Sequence, residues 1–294
     1  MTCRILVALD GSEASEPPLY EAERIALGGA GVHFLHIVPM LPSTMDATSA
    51  AVMSCHDQAL SYLGDLRARF PDVRGLDLIR TGDPADAVLQ AASEFDIDLI
   101  VMGTQVRAVP QEGSLGRAAR NVVREAMLPV ILKRPGLPPP RNTLRRILVP
   151  LDGSPESLTI LTTVKSLALQ TGAEVVFLHV TERALVPASP DGVPRAPKAS
   201  EHPKEKLLDI ANRLEKSDLV FWQTLAPGEA VEEVLNHAKA LDADLIAMAA
   251  RVGRGRERTI VDRAALAIME RAEQAVLLQE PVIAAAAPRA WKIR

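Results

Sequence analysis

The sequence predicts two tandem α/β domains, each an open sheet of five parallel strands with helices on both faces, Rossmann-like in class. Three observations carry that expectation. The chain repeats itself: RILVALDGS at 4–12 returns as RILVPLDGS at 146–154, and VHFLHIV at 32–38 as VVFLHVT at 175–181. DIDLIVMG at 96–103 returns as DADLIAMA at 242–249, and RAARNVVREAMLPVILK at 117–133 as RAALAIMERAEQAVLLQ at 263–279. The offset drifts only from 142 to 146, so a whole domain is duplicated rather than a short solenoid unit. Second, the strand-like runs are almost continuously apolar, as strands covered on both faces must be. Third, these runs alternate with segments of helical periodicity, the pattern of strand–helix–strand units with right-handed crossovers.

The elements follow in order. CRILVAL (3–9) reads as the first strand. A helix over 14–27 presents Leu19, Ala22, Ile25 and Ala26 as one apolar stripe, and Gly28 and Gly29 end it. Its counterpart carries Leu158, Leu161, Val164, Leu167 and Ala168 and stops at Gly172. Further strands are expected at 32–38, 76–80, 98–102 and 129–133, and again near 175–180, 219–225, 244–248 and 275–279. In such sheets ligands bind beyond the carboxyl ends of the strands, where the strand order reverses.

The expected boundaries are 1–135 for the first domain, 136–143 for a proline-rich linker, 144–282 for the second domain and 283–294 for a tail. Prolines in RPGLPPPRN (134–142) prevent it from continuing a strand or helix and make it a stiff connection. ALVPASPDGVPRAPKAS (184–200) reads as a mobile excursion after the second strand of domain two, and Trp291 in the tail is a candidate for docking on the body.

Composition excludes several function classes. Aromatic residues are 3% and the net charge is −4, which argues against nucleic acid as a partner. The two cysteines, Cys3 and Cys55, form no CxxC and point to a reducing compartment. No apolar run approaches the roughly 20 residues that span a bilayer. A strand begins at once, with no room for a signal peptide, so a cytoplasmic location is expected. Histidines 33, 36 and 179 fall on second strands with no carboxylate at metal-ligand spacing, so no metal site is expected. A nucleophile elbow, a P-loop lysine and a dinucleotide glycine fingerprint are all missing.

Two places could carry chemistry. Asp10-Gly11-Ser12 and Asp152-Gly153-Ser154 follow the first strands. A carboxylate there could accept from ribose hydroxyls; equally, Asp or Ser could cap the next helix while Gly makes the turn. The stretch after the fourth strand, MGTQVRAVPQEGSLGRAARNVVREA (102–126), offers glycines for backbone approach to phosphate and then a helix N-terminus facing the anion.

With these motifs the chain resembles the universal stress protein family, twice over and along nearly its whole length. The resemblance rests on I-L-V-x-x-D-G-S at strand one, H-x-V/I at strand two, D-L-I-V-M-G at strand four, and the closing helix and strand. ATP-binding members carry G-x2-G-x9-G-[S/T] after strand four. The resemblance implies an adenine-nucleotide α-hydrolase-like fold and dimers that pair final strands. Here that would make an internal pseudo-dimer, with 129–133 against 275–279. It also implies Asp10 near the ribose, Val38 and Met102 as apolar walls around adenine, and Gly103 and Gly116 as the first and third motif glycines.

The chain departs from that pattern at two positions in domain one. Val106 replaces the second glycine, and a β-branched residue resists positive φ and fills phosphate space. Arg117 replaces the Ser or Thr, exchanging a hydroxyl for a cation that could contact phosphate. In domain two the matching positions are Ala249, Val252, Asp262 and Arg263, so every motif glycine is gone and Asp262 would repel phosphate. Domain one therefore reads as a degraded nucleotide site, with ATP and magnesium as its candidate ligand, and domain two as a lost one. Five arginines in RVGRGRERTIVDR (251–263) offer either an anion- or acid-binding loop or a solvated one.

The expected function is a non-enzymatic stress-response binding or regulatory module with protein partners. One alternative is an ATP-binding, slowly hydrolysing protein using domain one only; another is a carrier or enzyme for a different small, anionic ligand in the crevice. A homodimer of tandem chains stays open beside the internal pseudo-dimer.

Overall fold

The computed structural model describes residues 3–27, 29–38, 49–104, 116–137, 139–152, 154–181, 221–249 and 263–281. The excursion at 184–200, the tail with Trp291, Val106 and the arginines at 251–258 lie outside the described residues.

Ten strands form one sheet: β1 Arg4–Leu9, β2 Gly31–Val38, β3 Asp77–Thr81, β4 Leu99–Gly103, β5 Val130–Lys133, β6 Arg146–Pro150, β7 Glu174–Thr181, β8 Phe221–Pro227, β9 Leu245–Ala249 and β10 Ala275–Gln279. Their order is β3-β2-β1-β4-β5-β10-β9-β6-β7-β8. Within each half every pairing is parallel. Among the described residues the one antiparallel pairing joins β5 to β10, with Leu132 opposite Val276, Ile131 opposite Leu277 and Val130 opposite Leu278. The expected parallel α/β class is thus observed twice, and the final strands of the halves meet as the resemblance implied.

Among the described residues the helices are α1 Pro17–Ala26, α2 Ser49–Arg69, α3 Pro84–Glu94, α4 Arg117–Glu125, α5 Ile160–Thr171, α6 Ala230–Ala240 and α7 Arg263–Arg271. Asp83 caps α3 by accepting from the amides of Ala85 (2.9 Å) and Asp86, and Pro84 sits where no donor is missed. Gly172 ends α5 at φ 74°, a left-handed stop glycine adopts without strain. The first helix differs from expectation: a 3-10 turn, Glu13–Ser15, precedes it, and α1 begins only at Pro17. Consecutive prolines cannot donate to the preceding turn, so they can only start a helix.

One core lies on each face. Leu6, Ala8, Ile100, Met102, Leu132 and Leu278 pack under α3, α4, α6 and α7. Ile5, Val7, Val101, Ile131, Leu277 and their neighbours pack under α1, α2 and α5. Both cores run without interruption across the β5–β10 seam, whose six facing side chains are all at most 1% exposed. Burying each is worth ~1.5–3 kcal/mol.

Charges are buried beside the seam. Glu21 and Arg24 on α1 pair with each other, and Lys133 reaches Glu21 at 3.5 Å. These side chains are 1%, 2% and 5% exposed. Arg24 crosses to the other half, donating to the Asp244 carbonyl at 3.0 Å with its carboxylate at 3.7 Å. Lys133 and Arg134 donate to the carbonyls of Glu273 (3.3 Å) and Glu270 (2.8 Å) beyond and within the end of α7. Burial pushes the Glu21 carboxyl up and the Lys133 ammonium down, each resisted by the charge of the other.

Removing Lys133 takes away one of the two cations that balance the buried Glu21 carboxylate. Lys133→Gln is expected to cost about 3–5 kcal/mol in denaturant unfolding, where an exposed lysine would cost almost nothing. Gly75 is constrained differently: a Cβ there would stand 1.8 Å from the Val32 carbonyl oxygen, beside the 2.6 Å bond from the Val32 amide to Arg74. Gly75→Ala should therefore destabilise by ~1–3 kcal/mol or more, read as a lowered Tm.

Candidate functional site

The strand order reverses between β1 and β4, where the chain runs from β1 outward to β2 and β3 and then returns to β4. A crevice is expected beyond the carboxyl ends of these two strands. Asp10 follows β1, and Met102 and Gly103 end β4 next to it, with Ala8 in register with Met102. Val38 ends β2 on the other side of β1. Gly116 is the N-cap of α4 and Arg117 its first residue. The Gly116 amide donates to the Thr104 carbonyl at 2.7 Å, and the Thr104 amide to Lys133 at 3.0 Å. Those two bonds anchor the start of α4 against the end of β4. The six candidate residues thus gather at one end of one half.

At Asp10 the structure favours the turn. Its Oδ1 accepts from the Ser12 amide (3.0 Å) and the Ser12 hydroxyl (2.6 Å). Asp152 holds Ser154 in the same way, at 2.8 and 2.6 Å. Gly11 has φ 82°, and a Cβ there would lie 2.8 Å from Cε1 of His36. Both the backbone and the packed imidazole therefore demand glycine. Since the second half has lost every motif glycine yet keeps this turn, Asp-Gly-Ser is accounted for by local structure.

A polar network surrounds the turn in half one. Ser15 donates to the Ser12 carbonyl at 2.8 Å and accepts from the Asp10 amide at 3.3 Å. The Tyr62 hydroxyl donates to Glu16 at 3.3 Å, which Arg69 also binds at 2.8 Å. Burial and then the Glu16 carboxylate push the Tyr62 phenol up. The His36 ring lies 5.3 Å from that of Tyr62. His36 is 9% exposed beside the turn. Its Nδ1 has no partner among the described residues, whereas Nδ1 of His179 in the second half meets the Leu151 carbonyl at 2.8 Å. Tyr62 and Glu16 carry no motif, and only α2 folding back over β2 brings them here.

In the second half Ala249 ends β9 and Arg263 begins α7, while Val252 and Asp262 lie outside the described residues. A cavity of about 540 Å³ opens at the opposite, amino end of its strands, lined by Arg145, Arg146, Thr171, Glu174 and Asp242 among others. Its charges pair with one another: Arg146 with Glu174 at 2.9 Å, and Asp242 with Arg141 at 2.5 Å and Arg145 at 3.4 Å. Among the described residues no group of three His, Cys, Asp or Glu side chains is placed to hold a metal, and no helix is long and apolar enough to cross a membrane.

Two repeats that share a turn, a switch point and an antiparallel seam can now be set beside known proteins. The sequence profile of the universal stress protein family matches residues 1–134 and, independently, 143–278. The chain belongs to the universal stress protein family. One half is 32% identical over 133 residues to a universal stress protein of Thermus aquaticus, covering 44% of this chain and 97% of that protein. Universal stress protein G of Salmonella typhimurium is 27% identical over 129 residues, covering 42% of this chain and 90% of its own. Among solved structures, a universal stress protein from Archaeoglobus fulgidus superposes with a TM-score of 0.72 at 15% identity, covering 95% of this chain and 98% of that one. One from Pseudomonas aeruginosa gives 0.66 at 16%, covering 95% and 94%. At such identity these two structures speak to the fold, here that of a tandem universal stress protein.

The buried histidines of β2 give a pH signature. Burial lowers the pKa of both His33 and His36, Arg4 and Arg67 adding to it at His33 and Asp10 opposing it at His36. A depressed histidine binds its proton more readily in the unfolded chain. Its stabilising contribution is therefore present above about pH 6.5 and is lost as pH falls through the lower folded value. Thermal unfolding should show Tm falling between pH 7.5 and pH 5.5, and falling less in His36→Gln; an equal fall in the variant would remove His36 from the account.

Proposed function

We propose that this universal stress protein is a non-enzymatic binding module of the stress response that takes an anionic ligand of the adenine-nucleotide class in its first half alone. The observation that carries this reading is the start of α4. Among the described residues no side chain caps it, no acidic residue lies in its first turn, and Arg117 stands at its first position. An uncapped helix N-terminus with an adjacent cation is a place for an anion. The ties from Gly116 to Thr104 and from Thr104 to Lys133 hold it at the carboxyl end of β4, the strand that neighbours β1. In the second half the sequence puts Asp262, a negative charge, immediately before α7.

In this reading Val38 and Met102 wall the base, Asp10 lies near the sugar, and Gly103, Gly116 and Arg117 meet the phosphates. Magnesium would arrive on the nucleotide's own phosphates. Val106, which stands in sequence where the family motif has its second glycine, weakens the site. The outcome is a low-affinity sensor read by protein partners in the cytoplasm, not a turnover catalyst, in keeping with the missing catalytic motifs.

Calorimetric titration of magnesium ATP into nucleotide-stripped protein tests this. We expect about one site per chain, weakened roughly tenfold by Arg117→Ala, since a charge-assisted hydrogen bond is worth ~1.5–3 kcal/mol. Gly116→Asp, which keeps a good helix cap, should abolish it, and Val106→Gly should tighten it. No binding at millimolar ATP, or binding indifferent to Gly116→Asp, would refute the proposal.

A further inference from the structure

The seam between the halves is short and its apolar pattern repeats. Val130, Ile131 and Leu132 face Leu278, Leu277 and Val276, six aliphatic side chains of similar size. Strand side chains alternate with a period of two, so a two-residue slip would return each of them to its own face. Burial of these strands alone leaves the register of the two halves under-determined.

The polar groups that cross the seam are distributed unequally. Arg24 reaches Asp244, Lys133 reaches the Glu273 carbonyl, and Arg134 reaches the carbonyls of Glu270 and Ala272. From the second half Gln170 donates to the Ile25 carbonyl at 3.1 Å. The duplication places Thr163, Ser166 and Gln279 where the first half has Glu21, Arg24 and Lys133. There Thr163 donates to Gln279 at 2.6 Å, and Thr163, Ser166 and Gln279 are all buried. Neutral side chains therefore fill the same space, and the ions are not needed for packing.

We propose that the Arg24–Asp244 contact, supported by Glu21, Lys133 and Arg134, is a register lock that sets how the two halves dock. The mechanism is a penalty on alternatives. A two-residue slip moves one half by about 7 Å along the strands. That would separate Arg24 from the carbonyl and carboxylate of Asp244, leaving Arg24 with Glu21 alone and buried Asp244 without the cation that reaches it from α1. A neutral seam carries no such penalty. Asp244 is a fixed target, because its other oxygen accepts the amides of Arg145 (2.8 Å) and Arg146 (3.0 Å) at the start of β6. Lys133 and Arg134 add cations at the carboxyl end of α7, where the helix dipole favours them.

The test is a spin-label distance across the seam in the full chain. Leu27 and Leu169, duplicates of each other at the ends of α1 and α5, are 62% and 44% exposed. Both are changed to Cys in a Cys55→Ser background, with Cys3 left buried. The parent should give one narrow distance. E21T/R24S/K133Q, which installs the second half's own residues, should keep its helical content and show a second or broadened distance displaced by several ångströms. If that variant does not fold, R24S alone is read in its place, with Glu21 and Lys133 left to neutralise each other, and the same broadening is expected. A single unchanged distance in the folded variant, with or without a loss of stability, overturns the lock.

Discussion

The antiparallel pairing of β5 with β10 is the constraint on which the rest of the molecule depends. A five-stranded parallel sheet with its last strand exposed offers unpaired backbone groups and an apolar edge, a template for association with any other strand. Here each half covers that edge with the other. The result is one ten-stranded sheet whose two cores, above and below, continue across the join. A single-domain protein must find a second chain to do this. In the tandem chain the partner is always present, so the two halves are free to diverge.

Their divergence follows a physical logic. Features needed for folding stay in both halves: the Asp-Gly-Ser turn with its paired hydrogen bonds, and the left-handed Asp96 and Asp242 at φ 50° and 51° after α3 and α6. Features that would meet a ligand survive in one. Gly103 and Gly116 have become Ala249 and Asp262. The charge at the seam is divided in the same way, with ions on one side and neutral hydrogen-bonding groups on the other. A duplicated protein thus supplies its own control: what both copies keep is scaffold, and what one copy loses is a candidate for function.

Much of this was legible in the sequence. Strands such as CRILVAL and DLIVMG stand out because burial on both faces removes polar residues altogether, and each observed strand lies within two residues of its expected place. The start of α1 was less visible, because helical periodicity begins before Pro17 permits a helix. The pairing of final strands came from the family resemblance and not from the residues, since VILK and AVLLQ would suit many neighbours. Glu21 and Arg24 were not legible at all: a Glu and an Arg three apart on a helix look like a solvated surface pair, and only the docking of the halves buries them. At the site, the positions of Gly116 and Arg117 followed from the glycine spacing. The sequence allowed Asp10 both a sugar contact and a place in the turn, and its bonds to Ser12, repeated between Asp152 and Ser154, show the turn.

The central claim, one continuous sheet rather than two domains on a linker, is tested most directly by native-state amide exchange followed residue by residue. If the seam is part of the core, the hydrogen-bonded amides within 130–132 and 276–278 should exchange as slowly as those of β1 and β6, through global unfolding alone. If instead the seam exchanges by a low-energy opening while β1 and β6 remain fully protected, the halves are independent bodies and the account is wrong.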